Sequence, residues 1–409
     1  MSVASTGQFP YSGSVFYMDT YNNKSYVGEP TTNYQWNSGN EITPWTVGGT
    51  NTDVTNTLAQ GPVLGAKTWK FQKSGTSNQW NGWESSYGGI WTGNSGDVWT
   101  TSYWYKTFSP AGNTNFGVGA YFTSDWSRQY NTTILASDTS IIADGRWHYG
   151  YAVTQFNENY SNAIIVDGPS WGYSYSAGEL YINGLQWEKK SHPTPFAYGT
   201  RSNTQGLLDL TKNSTIDLTN MVYDSSASLN FPSDNSRNTY FTVSNTTNLT
   251  GDVTLTAWVK PVYNLSSTPH KTIVCTHPTY QYGAKLMNYK NYARWGMWLG
   301  FGNDNYEAFV GDNVNDNTYK MLTSTWTKST GVVVLYLNGA VRTTITTGKA
   351  NTNLYYDATS IQVGVGYETA FGNGQSYEGK IDSTAIYNRA LSSDEVLKIY
   401  NRTKKRYGY

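Results

Sequence analysis

The run Val332-Val-Val-Leu-Tyr-Leu337 followed by Asn338-Gly339 constrains the fold more tightly than any other part of the chain. A short, continuously apolar run is the signature of a strand covered on both faces. Asn-Gly is the favoured pair for a two-residue type I′ hairpin, so the return strand is expected at Val341–Ile345. Val253-Thr-Leu-Thr-Ala-Trp-Val259 alternates, which places Val253, Leu255, Ala257 and Val259 on one face until Pro261 ends the run. Ser360–Val365 and Tyr377–Tyr387 supply further strands. One helix is expected near the end. Ser392 caps it, Glu395 completes a capping box, and Val396, Leu397, Ile399 and Tyr400 give it an apolar face for the rim of a sandwich.

The preceding half follows the same grammar with more aromatics. Val98–Phe108 and Arg146–Val153 read as strands. Glu179–Ile182, Asn183-Gly184 and Leu185–Glu188 read as a second hairpin. His192-Pro-Thr-Pro195 stops this region, and the polar stretch from Gly199 to Ser226 reads as a connection. With 409 residues, two domains are the natural division.

Composition narrows the partners. Lys+Arg and Asp+Glu are 28 each and charged residues make up 14% of the chain, so there is no electrostatic reason to seek nucleic acid or an anionic membrane. The basic run Lys404-Lys405-Arg406 reads as a short solvated tail. Aromatics reach 16%, with 35 Tyr and 16 Trp, and this argues against disorder. A single cysteine, Cys275, allows no intramolecular disulfide. The N-terminal residues show no signal peptide, and no stretch is long and apolar enough to span a membrane. Asn131-Thr-Thr and Asn245-Thr-Thr are chance acceptor triplets in a chain this rich in Asn and Thr.

Thr254-Leu-Thr-Ala-Trp-Val-Lys-Pro261, Leu335-Tyr-Leu-Asn-Gly339 and Gly379-Lys-Ile-Asp-Ser-Thr-Ala-Ile-Tyr-Asn-Arg-Ala-Leu-Ser392 occur in that order. Together they resemble the laminin-G-like, concanavalin A-like lectin domains. Gly178–Phe196 followed by Gly199-Thr-Arg201 is similar to the closing strand ("QxE…TPF…R") of galactose-binding-like jelly-roll modules in phage structural proteins. Gly206-Leu-Leu-Asp-Leu210, Phe16-Tyr-Met-Asp19 and Lys24-Ser-Tyr26 resemble other stretches of such proteins. The resemblances imply an all-β fold with two β-sandwich (jelly-roll) domains in tandem and a short C-terminal helix. The expected boundaries are an N-terminal segment 1–40, a galactose-binding-like domain 41–200, a linker 201–226 and a concanavalin A-like domain 227–409.

Concanavalin A-like folds include glycoside hydrolases, which hold two carboxylates a few ångströms apart. No such motif is legible. Glu378 and Asp382 share a strand face but stand about 13 Å apart along an extended chain. Cys275 and His277 share a face, yet a Cys–His nucleophile needs an orienting group and an oxyanion site, so a buried thiol beside a satisfied imidazole is the expectation. His148 is expected to pack or bond a turn and His192 to be exposed, so the four histidines make no zinc site. Gly302-Asn-Asp-Asn305 and Gly311–Asn317 supply oxygen ligands, which makes Asp304, Asp312 and Asp316 candidate calcium ligands beside the competing assignment of plain turn chemistry. Calcium is the one cofactor left open. Trp80, Trp83, Trp91 and Trp126, in Gly/Ser/Asn-rich contexts, and Trp295 and Trp298, around Gly296-Met297, are candidate sugar-stacking residues. The competing assignment is core or subunit interface.

These readings imply a non-enzymatic phage virion surface protein, a tail fibre, adhesin or capsid decoration with lectin-like modules. It would assemble in the host cytoplasm as a homo-oligomer. Its partners would be other virion proteins and host-cell glycans, without nucleic acid or membrane insertion. A structural cement binding only its virion neighbours is the alternative, and a glycan-cleaving enzyme the third reading.

Overall fold

The computed structural model describes residues 12–34, 45–47, 52–57, 61–73, 80–84, 91–108, 117–123, 127–138, 140, 142–168, 178–223, 229–232, 239–244, 247–262, 270–278, 282–289, 294–357, 360–366 and 376–409. The chain divides into two compact units, Met1–Glu29 with Asn203–Tyr409, and Pro30–Ser202. Both are built of antiparallel sheets, and the all-β class with one short C-terminal helix holds. The stretch 203–226, expected as a linker, belongs to the first of these units. Its Ile216–Asp217 pairs with Phe241–Ser244, and Ile216 and Leu218 are buried in the core. Likewise the N-terminal strand Ser14–Asp19 pairs with Gly379–Tyr387.

In the unit containing the C-terminus, one sheet runs in the order Ser14–Asp19, Gly379–Tyr387, Val253–Pro261, Lys320–Thr327, Val332–Leu337, Ala340–Thr346. The other runs Ile216–Asp217, Phe241–Ser244, Ser360–Val363, His270–Cys275, Tyr282–Tyr289, Arg294–Phe301, Asn305–Val310. Their facing residues make one core. Val253, Leu255, Ala257 and Val259 enter it as the alternation requires, meeting Leu286, Trp295, Met297 and Val363 among others. Asn338 and Gly339 both take positive φ, 51° and 81°, which is the type I′ geometry that Asn-Gly favours.

The opposite face of the first sheet is covered too. Ser393–Thr403 is the expected helix, and Ser392 and Glu395 form the capping box. Val396 and Ile399 are buried with Trp258, Met321 and Tyr336, so the helix covers a sheet face rather than a rim, while Leu397 points to solvent. The basic tail is also built in. Tyr407 stacks on Trp258 at 4.1 Å, and Arg406 pairs with the buried carboxylate of Asp19.

In the unit Pro30–Ser202, one sheet runs Thr132–Asp138, His148–Phe156, Val98–Thr107, Gly178–Glu188, Thr68–Lys73, Thr52–Thr57. The second hairpin expected at Asn183-Gly184 does not form: Gly178–Glu188 is one continuous strand. The Asn183 side chain is buried, accepting from Val63 N at 2.8 Å and donating to Ala66 O and Lys67 O at 3.2 Å. Gly184 alone takes a positive φ, and the register shifts there. The resulting bulge keeps Leu180, Ile182, Leu185 and Trp187 in one core despite the change of parity.

The end of that strand closes on a buried polar knot. Glu188 accepts from Thr31 Oγ1 (2.7 Å), Thr194 Oγ1 (2.7 Å), Thr194 N (2.8 Å) and Gln186 Nε2 (2.9 Å). Arg201 donates to the carbonyls of Pro195 and Phe196. Replacing Glu188 by Ala strands several buried donors at once. We expect Glu188→Ala to lose about 3 kcal/mol or more in a denaturant melt, and Lys189→Ala, an exposed neighbour, to lose little.

The helix start supplies a second expectation. The Arg389 guanidinium holds Glu395 in two bonds of 2.6 and 2.8 Å and pulls its pKa down to about 2, with the Ser392 backbone assisting against some desolvation. A depressed carboxylate stabilises fully above its unfolded value and loses that stabilisation as pH falls through the folded one. Melting between pH 5 and pH 2 is therefore expected to fall less steeply in Glu395→Gln than in the parent chain, with the parent's advantage at pH 7 gone near pH 2.

Candidate functional site

Of the six candidate tryptophans, Trp91, Trp295 and Trp298 have described side chains, and these three pack inside the protein. Trp295 is wholly buried in the sandwich core, and Trp298, on the opposite face of the same strand, is 1% exposed among Met287 and Phe309. A continuous strand buried on both faces leaves neither ring free to stack on a ligand. Trp91 lies in the strand Trp91–Gly93, its half-buried ring 4.7 Å from Tyr34 and 5.5 Å from Trp99, within an aromatic core. Trp80 and Trp83 are in the strand Trp80–Glu84 rather than a loop, and their side chains lie outside the described residues, as does Trp126.

The calcium candidates are likewise separated. Asp304 pairs with Lys349, Asp312 takes Arg342 in two bonds of 2.6 and 2.8 Å, and Asp316 takes Lys320 at 2.9 Å and caps the turn at Thr318. Each carboxylate faces its own cation, which occupies the oxygens a calcium ion needs. Among the described residues no three His, Cys, Asp or Glu are placed to hold a metal.

Glu378 and Asp382 serve structure. Glu378 bonds Lys271 Nζ at 2.6 Å with both side chains 1% exposed. The pairing with Val253–Pro261 skips Asp382, which sits at a bulge between Ile381 and Ser383 and is fully buried. Burial first, then the Asp382 charge, pushes the Tyr21 and Tyr377 hydroxyls above their ordinary range. Removing one partner of a buried pair leaves an uncompensated charge. Glu378→Ala is therefore expected to destabilise the fold by about 3–5 kcal/mol in a chemical melt, and its effect on any saccharide assay is expected to follow that loss of folded protein.

Cys275 and His277 also part company. The Cys275 thiol is buried, lies 3.5 Å from Val365 O, and is pushed up by burial, away from the thiolate a nucleophile requires. His277 instead turns to a rim cluster that composition did not reveal. It follows the strand His270–Cys275, faces the start of Tyr282–Tyr289, and meets the segment 354–357. Leu354 anchors that segment in the core, while Leu354 N donates to Thr250 O, Tyr355 N to Gly300 O, and Gly283 N to Tyr355 O. On this fixed backbone Tyr355 is 40% exposed. Its ring lies over Tyr282, centroids 4.1 Å apart. Its hydroxyl donates to Asp357 Oδ2 at 3.2 Å, and His277 Nε2 stands 2.6 Å from Asp357 Oδ1.

The electrostatics are consistent. Burial lowers the pKa of His277, which keeps the imidazole neutral, and the His277 bond lowers that of Asp357, which keeps the carboxylate ionised. The Asp357 side chain is 60% exposed. The cluster thus presents an aromatic face beside a fixed, solvated acceptor. No single residue announced it: Tyr355-Tyr356-Asp357 is an ordinary loop triplet until His277 and Tyr282 arrive from elsewhere in the chain. A separate concavity of about 330 Å³ is lined, among the described residues, by Ser14, Leu210, Thr211 and Asn213.

Residues 234–397 match the family model of the concanavalin A-like lectin/glucanases superfamily. This stretch is a concanavalin A-like domain. Solved structures that align with part of the chain include the receptor-binding domain of botulinum neurotoxin D, at 16% identity and a TM-score of 0.39, covering 50% of this chain and 51% of that one. The botulinum neurotoxin serotype D ligand-binding domain in complex with N-acetylneuraminic acid matches at 15% identity and a TM-score of 0.38, over 49% of each chain. The botulinum neurotoxin DC binding domain in complex with rat synaptotagmin II matches at 14% and 0.36, over 49% of this chain and 50% of that one. The chain thus spans about half the length of these structures. No curated protein matches it in sequence.

Proposed function

We propose that the chain is a non-enzymatic, glycan-binding protein of a phage virion surface, and that the Tyr355–Asp357 cluster is its saccharide contact. The observation that carries this reading is the cluster itself: a tilted tyrosine pair, centroids 4.1 Å apart, on a pinned backbone, beside an ionised carboxylate held by His277. A sugar ring offers C–H groups to the first and hydroxyls to the second. Support also comes from the concanavalin A-like domain at 234–397 and from the structural use of Glu378 and Asp382, which favours the binding branch of that fold over the hydrolytic one. The virion setting rests on the resemblance of Gly178–Arg201 and Gly206–Leu210 to phage structural modules. Among the described residues no helix is long and apolar enough to cross a membrane.

A structural cement is the second reading, favoured by the exposed apolar side chains of Ile134 and Leu135. Locating the chain in an imaged particle separates the two: a lattice position on the capsid favours cement, and a distal tail position favours an adhesin.

A glycan array followed by titration tests the contact. Tyr355→Ala and Asp357→Asn are each expected to weaken the best saccharide ten-fold or more, since one hydrogen bond to a charged group contributes about 1.5–3 kcal/mol. Because the His277 bond depresses Asp357, titration of this carboxylate is expected to weaken binding only once the pH drops below the usual carboxylate range. An array on which nothing binds, or a Tyr355→Ala chain that binds as the parent does, contradicts the proposal.

A further inference from the structure

The outer face of a sheet in the unit Pro30–Ser202 holds a cation without an anion. In the strand Val98–Thr107, Trp99, Tyr103 and Tyr105 enter the core, so Trp104 and Lys106 stand on the opposite face. The same alternation puts Tyr181 outward, between Lys106 on one neighbouring strand and Lys70 on the other. Tyr149 pairs with Trp104, their rings 5.3 Å apart. The Lys106 ammonium lies 4.9 Å from the centre of the Tyr181 ring, 5.4 Å from that of Phe108 and 5.6 Å from that of Trp147. These rings fix the ammonium by cation–π attraction but leave its three N–H donors without an acceptor oxygen. Lys70, by contrast, pairs with Glu179 at 2.5 Å, and the Tyr181 hydroxyl donates to the same carboxylate at 2.9 Å. Among the described residues no carboxylate pairs with Lys106. Phe108 is 60% and Tyr149 36% exposed, an aromatic surface that costs free energy in water unless something covers it. Phe108 is also held in place: its ring lies against Gly145, whose N donates to Thr107 O at 2.9 Å.

We propose that this face binds an acidic saccharide, whose carboxylate takes the Lys106 ammonium while its ring C–H groups pack on Phe108 and the adjoining aromatics. Charge complementarity selects the anion: the ammonium is fixed, half-buried and unanswered, and a carboxylate supplies the oxygens it lacks. The sheet selects a sugar over an acidic peptide. Val98–Thr107 and Gly178–Glu188 are each paired on both sides, so their main chains have no ladder for a peptide to join, and recognition falls to rings and a cation. The Glu179 carboxylate on the same face disfavours a densely sulfated chain, whereas a single carboxylate can meet Lys106 alone. This inference goes beyond the Tyr355–Asp357 contact. It concerns the other unit and the opposite charge, since the Asp357 carboxylate repels the acidic sugar that Lys106 attracts. Neutral glycans probe the first site and acidic ones the second, so the two proposals fail independently.

The test uses the full chain on a panel of uronate- and sialate-bearing glycans printed beside their neutral counterparts. The best acidic glycan is then titrated by calorimetry together with its methyl ester, which keeps the sugar ring and removes the charge. The parent is expected to bind the free acid ten-fold or more tightly than the ester, and to lose that preference as salt rises from about 0.05 M to about 0.5 M. Lys106→Gln is expected to bind acid and ester alike, at the parent's weaker level, and Phe108→Ala to weaken both. Lys405→Gln, which removes an exposed charge elsewhere, is expected to bind as the parent does. The comparison of acid with ester needs no variant, so it stands even where a substitution lowers stability. A parent that binds no acidic glycan, an ester that binds as well as the acid, or a Lys106→Gln chain that keeps the preference overturns the proposal. So does an oligo-glutamate peptide or a sulfated oligosaccharide that binds this face more tightly than the best acidic glycan.

Discussion

The unit that carries the candidate site depends on one long-range pairing. Ser14–Asp19 lies antiparallel to Gly379–Tyr387, matching Phe16 to Ile386 and Asp19 to Ser383. Gly379–Tyr387 in turn pairs with Val253–Pro261, so residues from both ends of the chain form one half of a sandwich. The same interaction fixes the C-terminus. Asp19, delivered by that strand, accepts from Tyr17 and pairs with Arg406, and Tyr407 then lies over Trp258. Closing a loop of this length costs chain entropy that rises only slowly with length, and burial of Phe16, Met18 and Val15 in the core repays it.

The closed sandwich is what makes the rim rigid. Leu354, buried in the core, and three main-chain bonds hold the segment that presents Tyr355. A tyrosine spends little side-chain entropy when it binds, because it has two side-chain torsions. Its neighbour Asp357 is pre-oriented by a neutral imidazole, so the acceptor is in place before a ligand arrives. Preorganisation of that sort raises affinity without adding contacts.

Much of the fold was legible in the sequence and the site was not, for one reason. Period-two alternation reports whichever face of a strand meets the core, so Val253, Leu255, Ala257 and Val259 were placed correctly. Asn338-Gly339 was legible because a local turn decided it. Asn183-Gly184 carries the same dipeptide but forms a bulge, because the Asn183 side chain answers main-chain groups near residue 65, a demand no local pattern displays. Trp295 and Trp298 read as ligand candidates as aromatics around Gly296-Met297; Gly296 allows a close approach to Ala308 O on the adjacent strand of a buried sheet. The proposed saccharide contact draws on His277, Tyr282, Tyr355 and Asp357, which only tertiary structure brings together.

The most direct measurement is a structure of the full chain soaked with the best-bound saccharide from an array. The account predicts a sugar ring against the exposed face of Tyr355, with a hydroxyl donating to Asp357. Saccharide density at another surface, with the Tyr355 and Asp357 side chains left to solvent, would contradict it.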